Sequence, residues 1–159
     1  MINGTYGQAV FAYLSLEERR IHTAVAATQI HYLFKFTNDL TKTVKYCYAS
    51  KDIHNDRYVR NKFLHNTSED LMLSRINFKP YGFWGYEVYE VSWLAEEQEL
   101  SEETAPSTET TVLDVSDHNG VVQGKVHEGK LYISETSGSE QVRYTQHNET
   151  TTNYLYTDY

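Results

Sequence analysis

Cysteine is almost absent: Cys47 is the only one in 159 residues. No disulfide can close within the chain, so packing and backbone pairing must hold the fold, as in proteins made in a reducing compartment. Proline occurs twice and glycine eight times, beside fourteen tyrosines and many threonines. That balance favours strands over helices, because branched and aromatic side chains pack well on a pleated surface. No apolar run approaches the ~18 residues of a membrane span. The opening MINGTYGQAV lacks the basic and apolar blocks of a signal peptide. The expectation is synthesis in the cytosol and no membrane partner. The glycosylation-type triplets at Asn3, Asn66 and Asn148 are then chance matches in a Thr-rich chain.

Positive charge is missing from the middle of the chain, with no Lys or Arg between Pro80 and Gly124. Residues 1–79 carry eleven Lys and Arg against seven Asp and Glu, whereas residues 80–159 carry three against fifteen. The second half should repel nucleic acid, since binding to phosphates needs clustered positive charge, and no direct nucleic-acid partner is expected. The polarity reads either as a solvated acidic face or as docking of copies or partners head to tail, basic side to acidic side.

Signatures of catalysis are lacking too. Histidines stand at 22, 31, 54, 65, 118, 127 and 147, and none has the tight spacing with Cys or carboxylate of a structural zinc site. His54-Asn55-Asp56 and Asp117-His118 place imidazole beside carboxylate only in predicted loops. There is no GxSxG, no glycine-rich phosphate loop and no HExxH. Cys47, between Tyr46 and Tyr48 on a predicted strand, reads as a packed thiol, since a nucleophile needs an electropositive setting. Glu96-Glu97 and Glu102-Glu103 lie in a connector and not in the rigid cleft that a glycosidase pair requires. A non-enzymatic protein without metal or cofactor is expected.

What the chain does have is alternation. AVFAYLSL at 9–16 reads as a first strand. In IHYLFKFTND, Ile30, Tyr32, Phe34 and Phe36 share one face at period two, with His31, Leu33, Lys35 and Thr37 opposite. Asn38-Asp39 ends that strand, and KTVKYCYAS resumes it as a hairpin with a loop of about four residues. KDIHNDRY reads as a loop, while YVRNKFLHNTS and LMLSRINF read as short strands. The stretch NFKPYGFWGYEVYEVSW at 77–93 holds seven aromatic rings. Large apolar groups on both its faces make it a central strand, with Gly82 and Gly85 marking a bend or bulge. An aromatic platform for single-stranded nucleic acid would interleave Lys and Arg, whereas here the interleaved residues are Glu87 and Glu90. The expected aromatic core is Phe34, Phe36, Phe83, Trp84, Tyr86, Tyr89 and Trp93.

After Trp93, the Glu-rich LAEEQELSEETAPSTETT reads as a solvated, mobile connector. Pattern returns in TVLDVS and in GVVQGKVHEGKLYISE, where His127-Glu128-Gly129 reads as a hairpin turn. QVRYTQ and NYLYT supply two more strands. About eight or nine short strands predict an all-β antiparallel sandwich, jelly-roll or immunoglobulin-like. Its parts are a core over 1–93, the acidic connector over 94–111, and strands over 112–159 that complete the sandwich or form an assembly arm. The tail's alternation of Tyr and Thr suggests pairing with a sheet edge, which makes Tyr144, Tyr154, Tyr156 and Tyr159 the expected assembly contacts.

Three stretches, IHYLFKFTND, INFKPYGFWGYEVYE and GKLYISETSGSEQVRYT, resemble in pattern and order a group of small virion structural proteins of tailed bacteriophages. The resemblance covers roughly half the chain and contains no catalytic or ligand residue. It implies a virion component of the head or neck, such as a capsid decoration subunit or a head-to-tail connector. Its partners would be other virion proteins (major capsid, portal, neck or tail subunits), and it would be a homo-oligomer within the particle. The alternative is a carbohydrate- or ligand-binding sandwich that stacks exposed Trp84, Trp93 or Tyr86 on its ligand.

Overall fold

Period-two alternation decides the centre of the molecule, and the chain's most regular stretches become its innermost strands. The structure is a computed structural model that describes residues 1–55, 57–96 and 100–136. Nine strands run through it: β1 (Ile2–Thr5), β2 (Val10–Leu14), β3 (Ile30–Asn38), β4 (Val44–Tyr48), β5 (Ser50–His54), β6 (Val59–His65), β7 (Arg75–Ile76), β8 (Gly82–Ser92) and β9 (Val121–Ser134). The only helical elements among the described residues are two three-residue 3-10 turns, Glu17–Arg19 and Ala27–Gln29. The expected all-β class is borne out.

One sheet has five strands in the order β1-β9-β8-β3-β4, and the other has the order β2-β6-β5, with β7 added beside β6. Neither sheet closes on itself. Not every pairing is antiparallel as expected: β1 runs parallel to β9, and β7 parallel to β6. The inward residues of both sheets meet in one core. Val10, Ala12 and Leu14 of β2 and Val59 and Phe63 of β6 face Tyr32, Phe34 and Phe36 of β3 and Trp84, Tyr86 and Val88 of β8. The rings pack edge to face, with Phe63 at 4.8 Å from Phe34 and 5.3 Å from Phe36, and Phe78 at 4.9 Å from Phe36. Each buries on the order of 150–250 Å² of surface, so this cluster dominates the stabilisation.

The aromatic stretch at 83–93 does become a central strand, flanked by β3 and β9. Its second face, with Val91 and then Trp93, joins Leu33 and Tyr48 in a smaller cluster on the outer side of the five-stranded sheet. Here the structure corrects the connector. The acidic segment is no solvated linker where it is described: Ala105 and Pro106 are buried, and Ala105 belongs to the outer cluster. Tyr48 donates its hydroxyl to the Pro106 carbonyl at 2.6 Å, while Lys35 and Tyr46 both donate to the Glu109 carboxylate, at 2.5 and 2.6 Å. A few anchors suffice because the sheet face beneath is apolar and must be covered.

Other readings also shift. The expected turn at His127-Glu128-Gly129 lies inside β9, a single fourteen-residue strand. Two irregularities of register interrupt its pairing with β8, beside Val88/Tyr89 and Glu90/Val91. Gly129 is there for space: a Cβ would fall 2.6 Å from the Tyr86 hydroxyl. KDIHNDRY contributes β5, an edge strand, and of LMLSRINF only Arg75–Ile76 is extended. TVLDVS forms no strand. Residues 121–134 complete the five-stranded sheet. The expected strands QVRYTQ and NYLYT lie outside the described residues.

Candidate functional site

Alternation that buries one side of β2 exposes the other. Phe11 and Tyr13 point to solvent from β2, and on the neighbouring strand β6 the residues in register with them are Lys62 and Arg60. The Arg60 guanidinium lies 5.3 Å and the Lys62 ammonium 5.9 Å from the centre of the Phe11 ring, within the range of cation–π attraction. Tyr58 adds a third exposed ring, 5.8 Å from Tyr13. The outer face of the smaller sheet is therefore aromatic and cationic, and no described segment of the chain covers it.

Beside this face lies a cleft of about 580 Å³ lined by Phe11, Tyr13, Arg19, Tyr86 and His127, with the start of β1. Arg19 Nη1 lies 3.1 Å from His127 Nδ1, and the Tyr86 hydroxyl 3.2 Å from Nε2. Since a guanidinium can only donate, Nδ1 is the acceptor and the imidazole is neutral. Burial, and then the positive charge of Arg19, hold His127 below the ordinary histidine range. The cleft offers hydrogen bonds and a cation to a ligand; its lining contains no thiol or carboxylate nucleophile.

The opposite side of the molecule has the reverse sign. The segment that covers the five-stranded sheet exposes Glu102, Glu103, Asp114 and Asp117. An apolar recess of about 350 Å³ opens there between Leu94, Val112, Leu113, Val115 and Val121, with Asp114 and Glu109 among its lining. Val112 and Val115 are almost wholly exposed.

A third cluster is internal. Glu90, 0 % exposed, accepts the backbone N–H groups of Ile21 and His22, both at 2.8 Å. Lys51 donates to the Ala27 carbonyl at 3.1 Å and to the Ile30 carbonyl, and lies 5.3 Å from the centre of the Tyr32 ring. Burial lowers Lys51 to about 8, although Glu17 and Glu90 oppose the shift. Burial, with Glu17 and Glu90, also raises Tyr32. These groups pin the loop at 17–29 onto the end of the sandwich. The hydrogen bonds of Glu90 and Lys51 run to backbone groups of the loop and of β3, so the cluster is an anchor.

Of the aromatic residues expected in the core, Phe34, Phe36, Trp84, Tyr86 and Trp93 are buried and Tyr89 is half-buried. Phe83 is a correction: it is 51 % exposed and tilted against Tyr132 at 4.8 Å, because it precedes the part of β8 that the acidic segment covers. Burial of Trp84, Trp93 and Tyr86 also leaves none of them free to stack on a sugar. Tyr144, Tyr154, Tyr156 and Tyr159 lie outside the described residues. Sequence reasoning missed Phe11, Tyr13, Tyr58, Arg60 and Lys62. The available signal was the parity of AVFAYLSL set against that of YVRNKFLH.

Among the described residues no group of three or more His, Cys, Asp or Glu is placed to hold a metal ion, and no helix is long and apolar enough to cross a membrane. The fold and faces define an all-β protein of two open, stacked sheets. No protein family matches the chain, and none of the curated proteins or solved structures matches it.

Proposed function

We propose that this chain is a non-enzymatic structural subunit that joins other proteins in a larger assembly, a component of a tailed-phage virion at its head or neck. One observation carries the assembly reading. The chain spends its acidic segment on closing one outer face of the sandwich and leaves the other open, with Phe11, Tyr13 and Tyr58 set among Arg60 and Lys62. Exposed aromatic side chains with Arg in a contiguous patch are the composition of protein contact surfaces. The phage setting rests on the resemblance of the three aromatic stretches. Partners would be other virion proteins, met through this face and through sheet edges.

The test is mass spectrometry of particles purified from cells infected with the phage that carries the gene. A fixed copy number per particle is expected, retained through density-gradient purification and lowered by Tyr13→Ser together with Phe11→Ser. Absence from purified particles would remove the virion reading.

A further inference from the structure

The two outer faces are opposite in sign, and each exposes apolar groups. On the smaller sheet, rings stand out beside Arg19, which lines the same cleft as Phe11 and Tyr13, and Lys62, which lies by the Phe11 ring, while the exposed Arg57 immediately precedes Tyr58 in the chain. On the far side, past both sheets, the acidic cover holds an apolar recess with Asp114 in its lining and Asp117 nearby, and with Val112, Val115, Leu94 and Val121 exposed around it. Neither apolar patch is covered by any described part of the chain. Charge steering brings such faces together, and burial of apolar groups then holds them.

We propose that the aromatic, cationic face of one copy seats on the acidic recess of the next, so that copies of this chain stack head to tail. This rests on the assembly reading and names its partner as the chain itself. Tyr13 and Phe11 enter or cap the recess, while Arg57 and Lys62 face Asp114 and Asp117. The contact is heterologous: each copy uses one face upward and another downward. Such stacking closes into a ring or continues as a filament, according to the rotation between copies. A dimer built on one shared face is not what this geometry gives.

Sedimentation of the full chain tests it with two blocked variants. Arg57→Glu with Lys62→Glu disables the cationic face, and Asp114→Lys with Asp117→Lys disables the acidic one. All four side chains are at or near the surface, and thermal unfolding checks that both variants remain folded. The wild type should associate as concentration rises, less so in high salt. Each variant alone should be a monomer. An equimolar mixture should associate again, because the intact face of each variant finds its native counterpart on the other and the two reversed faces are opposite in sign.

Tyr13→Ser, which alters no charge, should weaken wild-type self-association at least about tenfold. A wild type that stays monomeric at every concentration and salt overturns the stacking, as does a mixture that remains monomeric while the wild type associates. Neither result touches the particle measurement, on which the assembly reading stands separately. Binding of oligothymidylate by the wild type, lost in the Arg57/Lys62 variant and without self-association, would assign the face to nucleic acid and also overturn the proposal.

Discussion

Gly120 lies hard against the indole of Trp93: a Cβ at Gly120 would fall 2.5 Å from Cζ2 of that ring. The Gly120 N–H donates to the Thr104 carbonyl at 2.7 Å, so the same residue ties the acidic segment to itself and to the sheet. Replacing Gly120 with Ala forces the ring or the segment to move. A loss of about 1–3 kcal/mol is expected, measured by denaturant unfolding. Amide exchange of Ala105 and Gly120 should quicken ahead of that of β3 and β8. Unchanged exchange at those two amides would show that the segment is not held by this contact.

Glu90 is expected to behave as an internal cap for the loop at 17–29. In Glu90→Gln the carboxamide keeps the shape but turns one donor toward a backbone N–H, so of the two bonds now made to Ile21 and His22 one is lost. The expected cost is about 2–3 kcal/mol. Glu87→Gln on the outer face, where Glu87 meets Lys35 and Lys125, should change stability by less than about 1 kcal/mol. Equal effects at the two sites would contradict the assignment of Glu90.

Lys51 gives stability a pH dependence of definite sign. Its folded-state value of about 8 lies below the ordinary 10.5, so between those values the unfolded chain binds more protons and the folded state gains as pH rises. The full effect is ~3 kcal/mol in the limit, opposed in the same range by the Cys47 thiol, which burial raises, and above pH 10 by tyrosines such as the half-buried Tyr46, which burial and then Glu109 raise to about 12. From pH 8 to 10 the unfolding free energy of the wild type should rise relative to that of Lys51→Met, the opposing effect of Cys47 being common to both. Parallel curves would refute it.

Cys47 is buried, and burial, with Glu69 and Asp70, raises its thiol well above the ordinary range. Since the thiolate is the reactive form, a disulfide reagent at neutral pH should leave the native protein unmodified and titrate one thiol in denaturant. Rapid reaction without denaturant would mean that β4 opens readily.

How much of this was legible follows from what local pattern can report. The inward parity of Tyr32, Phe34 and Phe36 and the central place of β8 could be read directly, because period-two burial is written in neighbouring residues. The cover at 100–111 could not: its Glu content describes the solvent side, while its attachment depends on Ala105, Pro106 and Glu109 meeting Tyr48, Tyr46 and Lys35, far away in sequence. Gly129 was misread for a related reason. Its lack of a side chain serves the Tyr86 hydroxyl on the adjacent strand, and nothing next to it in the chain says so. Glu90 followed the inward parity of Trp84, Tyr86 and Val88, yet its charge made it look like surface; its partners are two amides of a loop nearly seventy residues earlier. The exposed platform at Phe11 and Tyr13 emerges only once β2 and β6 are known to be neighbours.

The parallel alignment of Ile2–Thr5 with Leu131–Ser134 bears on how the molecule comes into being. Of the strands of the five-stranded sheet β1 is made first and β9 last, so the sheet cannot be finished until residues 121–134 have been made. Closing so long a loop is entropically slow. Until then the unsatisfied backbone of β1 must be tolerated or shielded, which places the nascent chain, more than the mature one, at risk of joining with the wrong neighbour.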